Sequence, residues 1–585
     1  MIIKALADYY QRLADDPNTD IAPPGFQHKQ INAVLVINED GVFENLVLGE
    51  KKNPHAYLVP HEVKRSGPNA WKSANLLWDH AGFVLGHNPE NPDRGKKQMD
   101  VFAERVRESF VGEYSDSGTR AVEKFLLGNR SQYVLNHANF PSFEEMGGNL
   151  TFQLKGKPEL ICQSIAVQSF VAYQQAQDAA SLQACLISGD QDVATRLHPI
   201  IRGVWGTDKG RGNIVAFKPP AFSSYGKSQG YNAPVGKKTV FAYTTALNHL
   251  LATETQRMQV GDASTVFWAK HPCDFESDFH SFLSPKKGEE AVSYEKIRGL
   301  LSAVKTGVPP EEADMPFYVL GLAPNASRIA IRFWHEGSVK EIKERVAEHF
   351  QGLEIGHSEK QSAYISLRRV LLATTRSSRS HPFGNDDEIV PNLAAEVVRA
   401  ILSGSNYPQI LLHSVIRRIK AEQANKGQDG KPVRNVTYVR AAIIKAVLNR
   451  KYKEEELSVN LDLDNMTKGY RLGRLFAVLE KIQWLALKDL NANLRDKFYS
   501  SASCTPNRVF PHLLDLSNKH LKKVRSENPG SARNREKEIH EIMTADFFST
   551  GFPKILDLDD QGRFAVGYYH QKFYKIETEE KGEEV

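Results

Sequence analysis

Near residue 360 the spacing of apolar residues changes period, and that change bounds the fold more tightly than any single motif. From there to about residue 545, segments such as LAAEVVRAILSG, PQILLHSVIRRIKAEQ, VRAAIIKAVLNRKY and GYRLGRLFAVLEKIQWLAL repeat apolar residues every three or four positions. That period belongs to amphipathic helices, and the breaks at Gly404, Pro408 and KGQDGKP favour antiparallel neighbours in a bundle. Before residue 360 strands carry more of the pattern. INAVLVINEDGVFENLVLGE alternates around an Asp40-Gly41 turn and predicts a hairpin, and FYVLGLAPNASRIAIRFWHEG (317–337) predicts a second. Further strands are expected in LTFQL, ELICQSI, ACLISG, GNIVAF and TVFWA, with helices over 69–86, 99–128, 239–257 and 338–351. The expected fold class is α+β: a mixed α/β domain over 1–360 with hairpins and long loops, then an all-helical bundle over 361–585.

At 585 residues the chain exceeds one ordinary core, so two to four domains are expected. Its 41% hydrophobic and 25% charged residues are those of a folded globular protein. A net charge of +5 is mild for this length, so any polyanion contact must come from local clusters. The four cysteines are scattered without CxxC spacing, which argues for reduced thiols rather than a disulfide framework or zinc ribbon. The opening MIIKALADYYQRLADD places Ile3, Leu6, Tyr10 and Leu13 on one helical face with charges between them, unlike a signal peptide. No apolar run approaches the roughly 20 residues of a membrane span. A cytoplasmic location without membrane contact is expected.

Phe217 to Leu250 holds the most distinctive loop, AFSSYGKSQGYNAPV, before a helix-like run. Ser223, Ser224, Tyr225, Lys227, Gln229 and Asn232 supply hydroxyls, a cation and amides, with glycines that let backbone N–H groups approach a polyanion. An ordinary hydrophilic crossover is the plainer possibility, though long loops in compact domains tend to be functional. Nearby TRLHPIIRGVWGTDKGRGN adds Arg196, Arg202, Lys209 and Arg211. A second basic turn, VKRSGPNAWKSAN, gathers Lys64, Arg65, Asn69, Trp71, Lys72 and Asn75. Phosphate contact and a solvated turn both fit its composition. Its G-x-x-x-x-K-S lacks the second glycine of a nucleotide-binding loop.

HPCDFESDFHSF (271–282) concentrates acids and histidines, which raises the alternative of a metal-dependent nuclease or nucleotidyl hydrolase using residues 271–280. No pairing there has a known ligand spacing, and Phe275 and Phe279 have the character of packing residues. No GxSxG elbow, HExxH helix or Cys–His signature occurs, so no catalytic centre, cofactor or metal is expected. In the helical region Arg368, Arg369, Arg376, Arg379, Arg417, Arg418, Arg471 and Arg474 recur on successive helices. Some are ordinary partners of helix ends. Their repetition suggests a basic face that tracks an extended strand.

Together VKRSGPNAWKSANLLWDHAGFVLG, TRLHPIIRG, AFSSYGKSQGYNAPV before FAYTTALNHLL, and GYRLGRLFAVLEKIQ resemble the large subunit of the type I-C (Dvulg subtype) CRISPR effector complex, Cascade. The opening MIIKALADYYQRLA, the APPGF turn and DDQGRFAVGYYHQ fit the same family, so the likeness runs from Met1 to about Lys572. Thr195 before Arg196 departs from the small residue expected there. The resemblance implies a non-catalytic subunit of an RNA-guided complex, in which base pairing with the guide RNA supplies sequence specificity. Such a subunit reads a short TTC-like protospacer-adjacent motif on duplex DNA, starts unwinding and holds the displaced single strand. Its implied partners are the backbone subunits, the subunit at the guide's 5′ end, small subunits and a recruited helicase-nuclease.

Mapped here, Lys64, Arg65, Asn69, Trp71, Lys72 and Asn75 would join Ser223, Ser224, Tyr225, Lys227, Gln229 and Asn232 at the duplex. Tyr225 or Trp71 would wedge the first opened pair. Arg376, Arg379, Arg417, Arg418, Arg471 and Arg474 would guide the displaced strand. The family also implies a small subunit made from the same gene by internal translation, for which Met466 is the candidate start, giving 466–585.

Overall fold

The computed structural model describes residues 1–50, 55–63, 65, 67–177, 182–207, 211–217, 220–283, 295–297, 299–300, 310–326, 328–359, 361–362, 364–377, 384–426, 433–453, 457–487, 493–543 and 551–580. The architecture is α+β, as the two periods predict. Contacts divide the chain into two units, residues 1–200 with 215–249, and residues 201–214 with 250–585. The change of period near residue 360 falls inside the second unit.

The first unit is built on a four-stranded sheet in the order Phe43–Leu48, Ala33–Ile37, Asn149–Leu154, Trp78–His80. Ala33–Ile37 and Phe43–Leu48 form the predicted hairpin, closed by Asn38, whose Oδ1 accepts from the N–H groups of Asp40 and Val42. Ala33–Ile37 also pairs in parallel with Asn149–Leu154, which demands a long crossover. Helices Pro92–Ser109 and Ser117–Leu127 lie in that crossover, and their Phe102 and Phe125 pack on Phe152 at ring distances of 6.4 and 5.6 Å. The 99–128 helix of the sequence is thus two helices.

Two expectations for this unit fail for identifiable reasons. Residues 69–86 are a short 3-10 turn at Ala70–Lys72, the strand Trp78–His80 and one helical turn at Ala81–Val84, not one helix. Buried Asp79 gathers donors from Arg65, the Asn75 N–H and the His80 N–H, holding the chain extended there. ELICQSI is not a strand. Gln163 accepts from the Leu160 N–H at 3.1 Å and donates to the Leu58 carbonyl at 3.1 Å, closing a turn that leads into helix Ile165–Gln177. ACLISG and GNIVAF are not strands either: the short strands Leu182–Ala184 and Arg211–Gly212 meet them only at Ala184 and Gly212, the latter in the second unit.

The second unit contains an antiparallel meander of Arg257–Val260, Ala263–Ala269, Pro316–Asn325 and Arg328–Ser338. Helix Val339–Leu353 follows, started by a reciprocal cap between Ser338 and Glu341. The later helices share one continuous core with this sheet, from Met258 to Phe573. At its centre helix Lys468–Ala486 crosses helix Leu558–Glu580 at close range. Gly473 and Gly567 permit this approach. A Cβ at Gly473 would fall 2.0 Å from the Phe564 carbonyl oxygen, and one at Gly567 would fall 2.1 Å from that of Tyr470. No helix among the described residues is long and apolar enough to cross a membrane.

Candidate nucleic-acid interface

In the first unit, Ser224 to Lys227 forms a tight turn, with the Lys227 N–H donating to the Ser224 carbonyl at 2.9 Å. Its two central residues, Tyr225 and Gly226, both have positive φ, 50° and 72°, as in a type I′ turn. Glycine takes that conformation freely; tyrosine pays about 1–2 kcal/mol for it. The Tyr225 ring is 99% exposed, so packing does not compensate. An aromatic ring is therefore held out from a strained tip, which is common where backbone strain serves a function.

Below the tip, Asn232 staples the loop. Its Oδ1 accepts from the Ser224 N–H at 2.9 Å, and its Nδ2 donates to the carbonyls of Lys227 at 3.2 Å and Gln229 at 2.9 Å. Gln229, also at positive φ, accepts a hydrogen bond from the Arg196 guanidinium. The Gly230 N–H donates to the Arg196 carbonyl at 2.9 Å, and only glycine fits, because a Cβ would lie 2.5 Å from the Thr195 carbonyl oxygen. The loop is thus clamped to Thr195–Arg196. Ser223, Ser224, Tyr225, Lys227 and Arg196 are exposed together on it, and none of these side chains pairs with an acid among the described residues. The Asn232 amide is spent on the loop itself, so it shapes the loop rather than facing outward as a base reader, and Gln229 Oε1 is taken by Arg196. Arg196, which the sequence reading noted upstream of the loop but did not place at the duplex, is brought against the loop by its bond to Gln229, 33 residues on.

The basic turn is divided. Arg65 forms a bidentate pair with Asp79 and lies over the Phe83 ring at 4.2 Å, so its fork is fully engaged inside the fold. Asn75 is 5% exposed and its Oδ1 accepts from the Val63 N–H at 2.9 Å. Both are corrections: the polar ends of these side chains are engaged within the fold and position the turn, with Asn75 buried and the Arg65 side chain 19% exposed. Asn69 and Lys72 are exposed. Half-buried Trp71 has Lys72 and Lys97 over its ring at 5.5 and 6.0 Å, an aromatic–cation cluster to which Lys97 is an addition. Lys64 lies outside the described residues. Among the described residues no hydrogen bond, ion pair or ring contact joins this turn to the 223–232 loop.

The expected basic face of the helical region dissolves in part. Arg471 is 2% exposed and donates to the Ile542 carbonyl at 3.0 Å. Arg474 is also buried and donates to Gln571 Oε1 at 3.1 Å. Burial lowers its pKa from the usual guanidinium value. Neither can reach a strand; both satisfy core polar groups. Arg418 pairs with Glu422, which also holds buried Arg440 at 2.7 Å. Arg376 and Arg417 remain exposed, and Arg379 lies outside the described residues. The signal for burial in GYRLGRLF was Gly469 and Gly473 four apart, small enough for close approach, in a helix buried continuously from Gly469 to Glu480.

The acidic segment forms helix Asp274–Leu283, with Phe275 and Phe279 buried. Glu276 accepts from the Ala269 N–H at 2.7 Å and Asp278 pairs with Lys296 at 2.8 Å. Among the described residues no three His, Cys, Asp or Glu side chains are grouped to hold a metal.

The first unit thus carries a stapled loop with an exposed ring and two exposed cations, Lys227 and Arg196. Comparison with models of protein families matches residues 6–574 to "CRISPR-associated protein (Cas_Csd1)". The chain belongs to that family, and it is a CRISPR-associated protein. No curated protein matches it significantly.

Proposed function

We propose that this chain is the non-catalytic large subunit of a type I-C Cascade complex, and that the 223–232 loop engages the protospacer-adjacent duplex. Family membership supports a role beside other CRISPR-associated proteins and nucleic acids. The observation that carries the finer reading is Tyr225, fully exposed on a strained turn that Asn232 and Arg196 brace from below. A flat ring on a rigid tip can insert beside an opened base pair, while Lys227 and Arg196 neutralise the flanking phosphates. Asn69, Trp71 and Lys72 form a second, separate contact patch. Arg376 and Arg417 are the remaining candidates for the displaced strand. A product starting at Met466, which is 57% exposed just before helix Lys468–Ala486, would supply the small subunit.

The test is duplex binding by the assembled, guide-loaded complex, measured by gel shift on motif-bearing, motif-scrambled and pre-opened bubble targets. Tyr225→Ala is expected to weaken binding of the intact motif-bearing duplex about tenfold, as for loss of one good stacking contact. A bubble at the first pairs should restore most of that loss, since opening is already done. Equal binding of intact duplex by Tyr225→Ala and wild type would sink the wedge. Cleavage of DNA by the purified chain alone would overturn the non-catalytic assignment.

A further inference from the structure

In the second unit the last turn of helix Gln409–Ala421 comes against the last turn of helix Leu494–Cys504. There Lys420 Nζ donates to Cys504 Sγ at 3.0 Å, across 84 residues of chain. Among the described residues this is the one cysteine sulfur with a lysine hydrogen-bonded to it. Cys162 and Cys185 are buried, the first beside the Thr151 hydroxyl and the second beside the Thr239 hydroxyl and the Gly236 N–H. Cys504 and Lys420 are both partly exposed, so a small oxidant can reach the sulfur.

One turn braces both partners. Lys420 Nζ also donates to Gln561 Oε1, and Gln561 Nε2 donates to the Leu556 carbonyl at 2.8 Å, which fixes the amide with its oxygen toward the lysine. The Leu556 N–H in turn donates to the Cys504 carbonyl at 3.0 Å. No carboxylate pairs with Lys420 among the described residues, so its nitrogen faces an amide oxygen and a sulfur.

A reachable thiol is oxidised by peroxide to the sulfenic acid, and a nitrogen at contact distance condenses with that acid. We propose that Lys420 and Cys504 form a modification site, at which hydrogen peroxide drives a reversible covalent S–N bond, a sulfenamide. The Cys504 thiolate attacks one peroxide oxygen and breaks the O–O bond; sulfur is oxidised by two electrons and the other oxygen leaves as water once protonated. The Lys420 amine, its ammonium proton given to solvent, then attacks the sulfenyl sulfur and breaks the S–O bond. The departing hydroxide takes the proton that nitrogen gives up and leaves as water. The chain has lost two hydrogen atoms, and reduction by a thiol restores the amine and the cysteine. The flexible lysine stem supplies the remaining approach. The bond would rivet a helix upstream of Met466 to one downstream of it, and it is independent of the 223–232 loop.

The test is peptide mass spectrometry of the purified full-length chain after exposure to hydrogen peroxide, digested without reductant. The expected product is the Lys420 peptide joined to the Cys504 peptide, lighter than their sum by two hydrogens and separated again by dithiothreitol. Lys420→Arg should abolish that product and raise capture of the Cys504 sulfenic acid by dimedone at least threefold, because the competing amine is gone. The wild-type peptide map decides the pairing by itself, whatever the substitution does to folding. No joined peptides, Cys504 joined to any other residue, or equal dimedone capture in wild type and a folded Lys420→Arg chain would overturn the proposal.

Discussion

Asn232 shows how a side chain of the right type for base recognition can serve the backbone instead. Its three hydrogen bonds hold the Ser224–Lys227 turn and the Gln229 carbonyl in place. Asn232→Ala should therefore act through the loop. Amide hydrogen exchange across residues 222–233 is expected to accelerate, and duplex binding by the complex to fall about fivefold; unchanged exchange would contradict the staple. Lys227→Ala should leave exchange alone and lower the salt slope of binding by about one. Composition made this segment legible as an exposed polar loop. It could not separate Asn232, whose amide is used internally, from Ser223, Tyr225 and Lys227, whose side chains are not, because that division depends on which backbone groups the turn leaves unpaired. Arg65 was misleading for the same reason: its carboxylate partner, Asp79, lies fourteen residues on, past the turn.

Among the elements, the predictable ones were those whose apolar period was unambiguous. Both hairpins and the helices after residue 360 follow it, whereas ELICQSI and residues 69–86 are shaped by single side chains, Gln163 and Asp79, that no period reports. Helix Lys468–Ala486 has the opposite problem: its apolar spacing announces a helix, but its arginines look like surface charge until its burial on every side is seen. The glycine contacts make that burial testable. Gly473→Ala would push a Cβ into the Phe564 carbonyl and is expected to destabilise the second unit by about 3 kcal/mol. Gly530→Ala, in helix Pro529–Ile542, meets only the Asn528 side chain at 3.7 Å and should be neutral or stabilise by up to about 1 kcal/mol. Thermal unfolding of the two variants distinguishes a packed crossing from a loose one.

At the scale of the whole molecule, acid should loosen the second unit through two buried histidines. His349 shares a hydrogen bond with the Tyr407 hydroxyl at 2.6 Å, and burial, aided by Arg450, pushes its pKa down to about 3. His570 pairs with the Tyr470 hydroxyl at 2.9 Å, and burial with Lys445 pushes it down to about 4. In the unfolded chain both take up a proton near pH 6.5, so below that value the unfolded state binds more protons and stability falls as pH falls. The loss is expected to be about 1.4 kcal/mol per pH unit for each histidine between pH 6 and 5. Urea unfolding followed between pH 7 and 5 would measure it, and replacing both histidines by asparagine should flatten the slope.

The close crossing of Lys468–Ala486 with Leu558–Glu580 has a further consequence for how the gene can be used. Both members of that pair are encoded downstream of Met466, so a polypeptide begun there would inherit its own tightest seam rather than borrow one. It would also inherit a bare flank, since Gly562 rests against Leu412, Ile444 and Leu448 from upstream helices. A product begun there would leave uncovered the apolar surface that otherwise meets those upstream helices.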